Sequence, residues 1–276
     1  MFEGKRFVLS ALLCMVVCGA SGVHAAEIIC EGEYPWHLQG VATDGTNLFW
    51  TFTTALVKTD LRGRLADKVA IGRNEGHMGD LCCMGENVFV GMNLGQSGGC
   101  RVGDEVWEFN AKTLRLANKH PTHEALWCNN GLEFFDGCFW VVTSAPRHCR
   151  YNMVFRYTRN FRFMRCQMID SGWTNLGVQT ICHHGDKILF GCYGDMRDKQ
   201  EPHPSCIFAV DAKALSSAGG GTEAPVIVPC EKRIGKSGAE GMVVLGGQLM
   251  IANSIRLSSP EEKKQRWTAR LVPTSL

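Results

Sequence analysis

Five segments of the chain can be stacked on one another without a gap, and this internal repeat is the strongest constraint on the fold. Each segment has a short apolar strand, a turn that contains glycine and a second, more apolar strand, which is the pattern of a tight β-hairpin. The segments are HLQGVATDGTNLFWTFTT (37–54), HMGDLCCMGENVFVGMNL (77–94), CNNGLEFFDGCFWVVTSA (128–145), GVQTICHHGDKILFGCYG (177–194) and GAEGMVVLGGQLMIANSI (238–255). Apolar residues alternate within them, which predicts strands and not helices.

The runs between the hairpins supply further strands, so that each repeat becomes a four-stranded blade. In the fourth repeat we assign CIFAVDAKA (206–214) and APVIVPC (224–230) as the third and fourth strands. After the fifth hairpin only RWTARLVPT (266–274) remains, and an unassigned strand, EIICEGE (27–33), precedes the first hairpin. We therefore predict an all-β chain folded as a five-bladed β-propeller closed by its N-terminal strand. A six-bladed propeller and an open β-sandwich are the alternatives.

The N-terminus has the features of a secretory signal. Lys5 and Arg6 precede an apolar run over 7–20 that is too short to span a bilayer, and small residues lead to Ala26. This pattern predicts a signal peptide over 1–25, a single domain over 26–276, and a secreted or periplasmic protein. A retained membrane anchor is the alternative, although no later segment is apolar for long enough to cross a membrane.

Charge and cysteine content narrow the classes of partner and the compartment. The net charge of +2 provides no broad basic field for nucleic acid, and we expect a monomer. Two of the 14 cysteines lie in the signal, which leaves an even number in an oxidising compartment and predicts several disulfides. Disulfides among the rim-loop residues Cys100, Cys149 and Cys206, with Cys128 nearby, fit this pattern, and free buried thiols are the alternative for some.

Polar residues recur at equivalent positions of the repeat. Because the first strand of each blade lines the central channel, such positions form rings on one rim. The ring that opens the first strands is Gln39, Gly79, Asn130, Gln179 and Glu240, and the ring that ends the second strands is Thr53, Asn93, Ser144, Tyr193 and Ser254. Turn chemistry is the alternative reading of the second ring. Trp173, like Trp36 and Trp127, precedes a repeat on the same rim and predicts an aromatic platform for a sugar or peptide, with packing between blades as the alternative.

Four residues of this rim carry groups suited to catalysis or metal binding. His37 and His77 are equivalent in adjacent blades, and Asp80 and Glu240 lie near them in the stack. Two imidazoles that face a shared point, with carboxylates beside them, predict a divalent metal site or an acid–base pair. The alternative is that each histidine caps its strand and that Glu240 is a solvated carboxylate.

Several segments resemble those of uncharacterised, exported bacterial β-propeller proteins: HLQG (37–40), TALVKTD (54–60), HMGDL (77–81), SGWTNLGVQT (171–180) and FGCYG (190–194). This resemblance implies the fold. Gln39-Gly40 and Glu240-Gly241 also resemble the segments that open the channel strands in propeller-type glutaminyl cyclases. The chain departs from that family at HMGD (77–80), where the family keeps its catalytic glutamate, and at Asn130, where it keeps a tryptophan.

Two classes of function are compatible with the sequence. The first is a propeller that binds a small polar ligand, a sugar or a peptide, through Gln39, Asn130, Gln179, Asn93, Ser144, Tyr193 and Trp173. The second is a propeller enzyme, a hydrolase, a lyase or a glutaminyl-cyclase-like acyltransferase, that uses His37, His77, Asp80 and Glu240 with or without a metal ion. The sequence favours binding slightly, since polar rings and aromatic residues suffice for it.

Overall fold

The computed structural model describes residues 26–95, 104–146, 149–197, 202–217, 226–259 and 261–275. The chain begins with two short strands, β1 (Ile28–Ile29) and β2 (Tyr34–Pro35). Five antiparallel units follow, each with a hairpin from the sequence repeat at its centre. In the described residues no helix has the length and apolarity needed to cross a membrane.

The first two blades are regular four-stranded meanders. Blade one consists of β3 (Leu38–Thr43), β4 (Asn47–Phe52), β5 (Ala55–Asp60) and β6 (Leu65–Ala70). Blade two consists of β7 (His77–Met84), β8 (Asn87–Asn93), β9 (Glu105–Asn110) and β10 (Leu116–Pro121). The second strand of each blade is the most buried, whereas the fourth strand is largely exposed, as expected for a blade that radiates from a central axis.

One strand that follows blade four in the sequence pairs at the outer edge of blade three, which the sequence did not predict. Blade three contains β11 (Asn129–Phe135), β12 (Cys138–Thr143), β13 (Tyr151–Thr158) and β14 (Phe163–Asp170). Blade four contains β15 (Asn175–His184), β16 (Lys187–Tyr193) and β17 (Cys206–Asp211), followed by the short helix α1 (Ala212–Ser217). The next strand, β18 (Val226–Pro229), pairs in parallel with β14, and β19 (Glu231–Ile234) completes blade four.

The assignment of 224–230 as the fourth strand of blade four was therefore wrong. After β17 the chain turns through α1. The next strand, β18, lies along the neighbouring blade three. There β14 offers an unpaired edge for Gln167 to Asp170. Only after Cys230 does the chain cross to β17, where Glu231 pairs with Ala209.

The N-terminal segment closes the ring. Blade five is formed by β20 (Met242–Leu245), β21 (Gln248–Arg256) and β22 (Arg266–Pro273), and β1 pairs antiparallel with β22 as its fourth strand. Tyr34 of β2 also pairs with β22, opposite Trp267. The predicted five-bladed propeller with N-terminal closure is confirmed.

The apolar core lies between neighbouring blades. One cluster joins blade five to blade one and includes Trp50, Phe52 and Leu271, all 0% exposed. Another joins blades three and four through Trp140, Phe190 and Phe208. Since the sheet faces pack on one another, the edges of the five innermost strands face the central axis and carry the polar residues described next.

Candidate functional site

A β-bulge at the start of the innermost strand aims the first polar ring at the channel. The pairing register shifts in blades one to four at the segments that contain Gln39, Gly79, Asn130 and Gln179. A bulge adds an unpaired residue and redirects its side chain. In blade five, β20 begins only at Met242, and Glu240 stands before it at the same level. The repeat therefore places Gln39, Asn130, Gln179 and Glu240 at one mouth of the channel, whereas Gly79 offers no side chain there.

The two polar rings are neighbours, as the stacking of the repeats implied. In blade three the Asn130 amide donates to Ser144 Oγ over 3.0 Å. In blade five Ser254 Oγ donates to Glu240 Oε1 over 2.8 Å, and its backbone N–H donates to Oε2 over 2.6 Å. In blades three and five, residues fourteen positions apart thus meet across the hairpin on the same rim.

Five side chains from four blades come together at this mouth, and we call them the rim cluster: His37, Gln39, His77, Tyr193 and Glu240. The Gln39 amide lies 2.8 Å from His37 Nε2. Because an amide N–H is the donor, this ring nitrogen accepts and is unprotonated. Burial lowers the pKa of His37, and the nearby Glu240 carboxylate opposes that shift.

Electrostatic interactions connect the remaining members of the rim cluster to one another and to His37. Burial, with a smaller contribution from His37, lowers the pKa of His77 from 6.5 to about 4. Burial and the Glu240 carboxylate raise the pKa of the Tyr193 phenol. At neutral pH the rim cluster therefore consists of two neutral imidazoles, an amide, a phenol and one carboxyl group.

Two polar atoms of the rim cluster are buried without a hydrogen-bond partner among the residues that the structure describes. They are Nε2 of His77 and the hydroxyl oxygen of Tyr193. A buried polar group without a partner costs about 1–3 kcal/mol, so most such groups in folded proteins are satisfied. The rim cluster holds two such atoms at one mouth of the channel.

Ser254 joins the cluster to the closure of the ring. Its hydroxyl donates to Glu240 and accepts the backbone N–H of Leu38 over 3.0 Å, which links blade five to blade one. The Glu240 carboxylate is therefore held by two bonds to one residue and is fixed relative to His37 on the adjacent blade.

Asp80 does not belong to the rim cluster. It is 1% exposed inside the channel, where its Oδ2 accepts the Ile181 N–H of blade four over 3.2 Å. A Cβ on Gly40 would lie 2.3 Å from Asp80 Oδ1, so blade one touches the same carboxyl group. Burial raises the pKa of Asp80 well above its usual value, and hydrogen bonds from backbone N–H groups, Leu81 and Val41 among them, oppose this. The Asp80 carboxyl group therefore accepts hydrogen bonds from backbone N–H groups at the edges of inner strands.

The opposite mouth of the channel is a separate recess of about 210 Å³ lined by the innermost strands of all five blades. Glu133 is its acidic residue, and its carboxylate accepts the N–H groups of Phe134 and His183 at 2.9 and 3.2 Å. Burial raises the pKa of Glu133 to about 7. Sequence reasoning missed this residue, because the repeat carries apolar residues and cysteine at the equivalent positions.

The other predicted ligand-binding residues are spread around the rim. The Asn130 amide also donates to the Val178 carbonyl of blade four over 2.7 Å, and the Gln179 amide donates to the Leu176 carbonyl over 2.8 Å. Asn93 accepts the Gly95 N–H after β8. Trp173 lies against His203, with ring centroids 3.8 Å apart. These contacts stabilise strand ends and lie outside the rim cluster.

A ring of left-handed residues surrounds the same mouth. Trp36, Gly76, Trp127 and Leu176 occupy equivalent positions, three residues before the first polar ring, and have φ angles of 69°, 145°, 63° and 61°. Non-glycine residues in this region are strained and persist where the surroundings enforce them, often at functional sites. The only signal for this ring in the sequence was Gly76.

The predicted metal site and disulfides have no counterpart among the described residues. No group of three or more His, Cys, Asp or Glu side chains there is arranged to hold a metal ion. The eleven cysteines in the described ranges carry free thiols. Cys100, one of the rim-loop cysteines considered for a disulfide, lies outside those ranges.

Comparison with known proteins places the chain by fold and not by sequence. No protein-family model matches it, and neither does any curated protein sequence. The crystal structure of Myxococcus xanthus glutaminyl cyclase superposes with a TM-score of 0.52 at 11% identity, over 90% of this chain and 97% of that one. The structure of YjhT gives a TM-score of 0.47 at 14% identity, over 80% and 73% of the two chains. At these identities the likeness describes the fold alone.

The fold and the site together define the class: a five-bladed β-propeller with a polar cluster at one mouth of its channel. One of the expected resemblances, that to propeller-type glutaminyl cyclases, is supported at the level of architecture.

Proposed function

We propose that the chain is an exported five-bladed propeller that binds a small polar ligand, a sugar or a peptide-like molecule, at the rim cluster. The observation that carries the proposal is the pair of buried polar atoms without partners, His77 Nε2 and the Tyr193 hydroxyl. A bound ligand that forms hydrogen bonds with both atoms would offset the free-energy cost of burying them.

The chemistry of the cluster restricts the ligand. The imidazoles are neutral because burial lowers the pKa of His37 and His77, so they contribute hydrogen bonds and no charge. The phenol of Tyr193 can donate and accept. Only Glu240 brings a carboxyl group. Such a site suits neutral or cationic ligands with hydroxyl, amide or amino groups, and it disfavours anions.

A panel of mono- and disaccharides and of short peptides, read by thermal shift, tests the proposal. A ligand at one hundred times its Kd stabilises the folded chain by about 2.7 kcal/mol. We expect His77→Ala and Gln39→Ala to abolish this shift. His183→Ala is the matched control, because His183 lines the recess at the opposite mouth. A shift that survives both rim variants places binding elsewhere and contradicts the proposal.

An enzyme is the second candidate, and one observation favours it. The Glu240 carboxylate is held by Ser254 beside the neutral His37, which accepts a hydrogen bond at Nε2. A fixed carboxylate and a neutral imidazole are groups that move protons in hydrolases, lyases and acyltransferases. The shared architecture with a glutaminyl cyclase makes cyclisation of N-terminal glutamine the first reaction to assay.

The assay incubates the chain with peptides that begin with glutamine and measures the ammonia released. Enzymatic turnover that is lost in Glu240→Gln and retained in Glu133→Gln would support the enzyme. The second variant is a control in which the acidic residue of the opposite mouth is changed. An absence of ammonia above the uncatalysed rate excludes this acyltransferase reaction and leaves ligand binding as the proposal.

Export is part of the proposal and rests on the N-terminal sequence alone. When the chain is expressed in a bacterial host with residues 1–25 in place, we expect the protein in the periplasm or the medium with Ala26 as its first residue. N-terminal sequencing of each cell fraction measures this. Protein that stays in the cytoplasm with Met1 retained would contradict export.

A further inference from the structure

Three cysteine thiols gather in blade four, away from the rim cluster. Cys192 of β16 and Cys206 of β17 are directly opposite each other in the antiparallel pairing. Both are 0% exposed, and their side chains interact with each other. Cys230 follows β18, where its thiol donates to the Asp170 carbonyl over 3.3 Å.

We propose that Cys192 and Cys206 are joined by a disulfide in the exported protein. Opposite residues of an antiparallel pair have Cα atoms about 4.5–5.5 Å apart. This distance lies within the range of about 4.4–6.8 Å that disulfides bridge. The two residues are already opposite each other in the reduced chain, so the bond can form without a change of register. The inference rests on the export proposed above, because disulfides persist in oxidising compartments.

The oxidant is a disulfide of an oxidoreductase or of glutathione. The thiolate of one of the two cysteines attacks one sulfur of that disulfide and expels the other as a thiolate, which leaves a mixed disulfide. The second cysteine then loses its proton and attacks the sulfur of the first, and the second thiol of the oxidant departs. The two cysteine thiols are oxidised to one disulfide, and the oxidant's disulfide is reduced to two thiols. Because both cysteines are fully buried in the folded chain, these steps precede the closure of blade four during folding.

The disulfide would close the loop that leaves the rim side of blade four. Between the two cysteines the structure describes residues 193–197 and 202–205, and Tyr193, the last residue of β16, is a member of the rim cluster. Asp195 and His203 pair across it, with the His203 N–H donating to the Asp195 carbonyl over 2.9 Å. A covalent link at the base of the loop shortens the free chain in the unfolded state and stabilises the folded one.

Peptide mapping of the unaltered protein tests the pairing directly. The exported protein is denatured, its free thiols are alkylated, and it is digested with trypsin. Cys192 lies in the tryptic peptide 188–197 and Cys206 in 200–213. We expect these two peptides to be recovered linked and to separate on reduction. Recovery of both cysteines alkylated, or a link between Cys206 and Cys230, would overturn the proposal.

Refolding separates a failure of this proposal from a failure of export. Reduced protein refolded with oxidised and reduced glutathione should form the same link wherever the protein is found in the cell. Refolded chains in which Cys192 and Cys206 remain alkylatable overturn the inference even if export is correct.

Variants add a measure of the effect on stability. Reductant should lower the Tm of the oxidised protein and leave the Tm of the Cys192→Ala/Cys206→Ala double variant unchanged. Cys182→Ala is the control, since Cys182 is a buried thiol in β15 of the same blade and makes its contact with the His183 carbonyl. If the double variant fails to fold, the peptide map of the unaltered protein still decides the question.

Discussion

Individual residues of the rim cluster owe their chemistry to burial more than to ion pairing. His37 and His77 face each other and Glu240, yet desolvation is the largest influence on the pKa of both imidazoles and lowers it. A protonated imidazole would be stabilised by the carboxylate, but only at the cost of its own hydration. The cluster is therefore suited to forming hydrogen bonds at neutral pH and loses that property in acid.

The titration of His77 is the first prediction at this scale. The imidazole should titrate near pH 4, whereas an unperturbed histidine does so near 6.5. Carbon and proton chemical shifts of the ring, followed by NMR from pH 3.5 to 8, measure the midpoint. His183, at the opposite mouth, is the internal comparison. A midpoint for His77 near 6.5 would show that the ring is solvated and not part of a buried cluster.

The same pKa predicts how stability depends on pH. The lowered pKa means that the unfolded chain binds a proton at His77 between about pH 6.5 and 4 while the folded chain does not. The contribution is therefore fully present above pH 6.5 and is lost as the pH falls towards 4. His77→Gln should flatten this part of a urea-denaturation profile. The difference between the two profiles isolates His77, because His37 contributes with the same sign and Asp80 and Glu133 with the opposite sign.

Ser254 provides a prediction about the link between blades. Ser254→Ala removes the bond to Glu240 and leaves the buried Leu38 N–H without its acceptor. We expect a loss of about 1–3 kcal/mol in the free energy of unfolding, measured by chemical denaturation. Ser144→Ala is the matched control from the same ring, since Ser144 Oγ accepts one bond from Asn130. Equal costs for the two variants would contradict a special role for Ser254.

At the residue scale the sequence predicted which side chains lie on the rim better than it predicted the groups that surround each side chain. Stacking the five repeats without gaps located Gln39, Tyr193 and Glu240 on one rim, because the hairpins have equal lengths. It could not show that Asp80 turns inwards to accept N–H groups, since that depends on a bulge and on distant strands. Glu133 was missed because the other repeats carry apolar residues or cysteine at the equivalent positions.

At the scale of the structural element, the bulged inner strand is the device that builds the site. In blade one the bulge at Gln39 is followed by Gly40, where the chain approaches Asp80 so closely that a Cβ would lie 2.5 Å from its Cα. Glycine is required here by the close approach of two strands across the channel.

Gly40→Ala should therefore be severely destabilising. The added methyl group would overlap backbone as well as the Asp80 carboxylate, and overpacking of this kind costs about 1–3 kcal/mol or more. Gly45→Ala is the control, because a Cβ there meets nothing within 4 Å, although its φ of 87° still carries some strain. Differential scanning calorimetry of both variants measures the effect. A Gly40→Ala protein as stable as Gly45→Ala would contradict the close contact.

The elements were predicted except in blade four, where 212–214 belong to α1, β18 pairs with blade three and β19 was not assigned. The cause is physical. Hairpins are local, so alternation and turn glycines suffice to find them. The partner of β18 is a distant strand edge, and β-rich composition alone does not reveal whether a segment joins its own blade or the next. Bulges depend on the same long-range pairing.

At the scale of the whole molecule, closure by the N-terminal strands holds the ring together. Tyr34, 2% exposed, stacks on Phe52 of blade one with centroids 4.4 Å apart while its strand pairs with β22 of blade five. The aromatic ring thus contacts both ends of the circular arrangement, as does the Ser254 bond to Leu38.

Tyr34→Ala should lower the free energy of unfolding by about 3–5 kcal/mol, the usual cost of deleting a buried aromatic side chain. Tyr34→Phe keeps the stacked ring and removes only the hydroxyl bond to the Glu31 carbonyl, so its cost should be much smaller. Urea denaturation of the two variants checks this. A small effect of Tyr34→Ala would mean that the ring is stable without closure at this point.

The most direct test of the rim cluster as a ligand site is calorimetric titration of the strongest thermal-shift ligand into three proteins. These are the unaltered chain, Tyr193→Phe and the control Tyr151→Phe, whose residue lies in β13 of blade three. Because the Tyr193 hydroxyl has no hydrogen-bond partner in the described ranges of the chain, its loss should weaken binding about tenfold without destabilising the fold. Tyr151→Phe should bind as the unaltered chain does. Equal affinity in all three proteins would contradict a ligand site at the rim cluster.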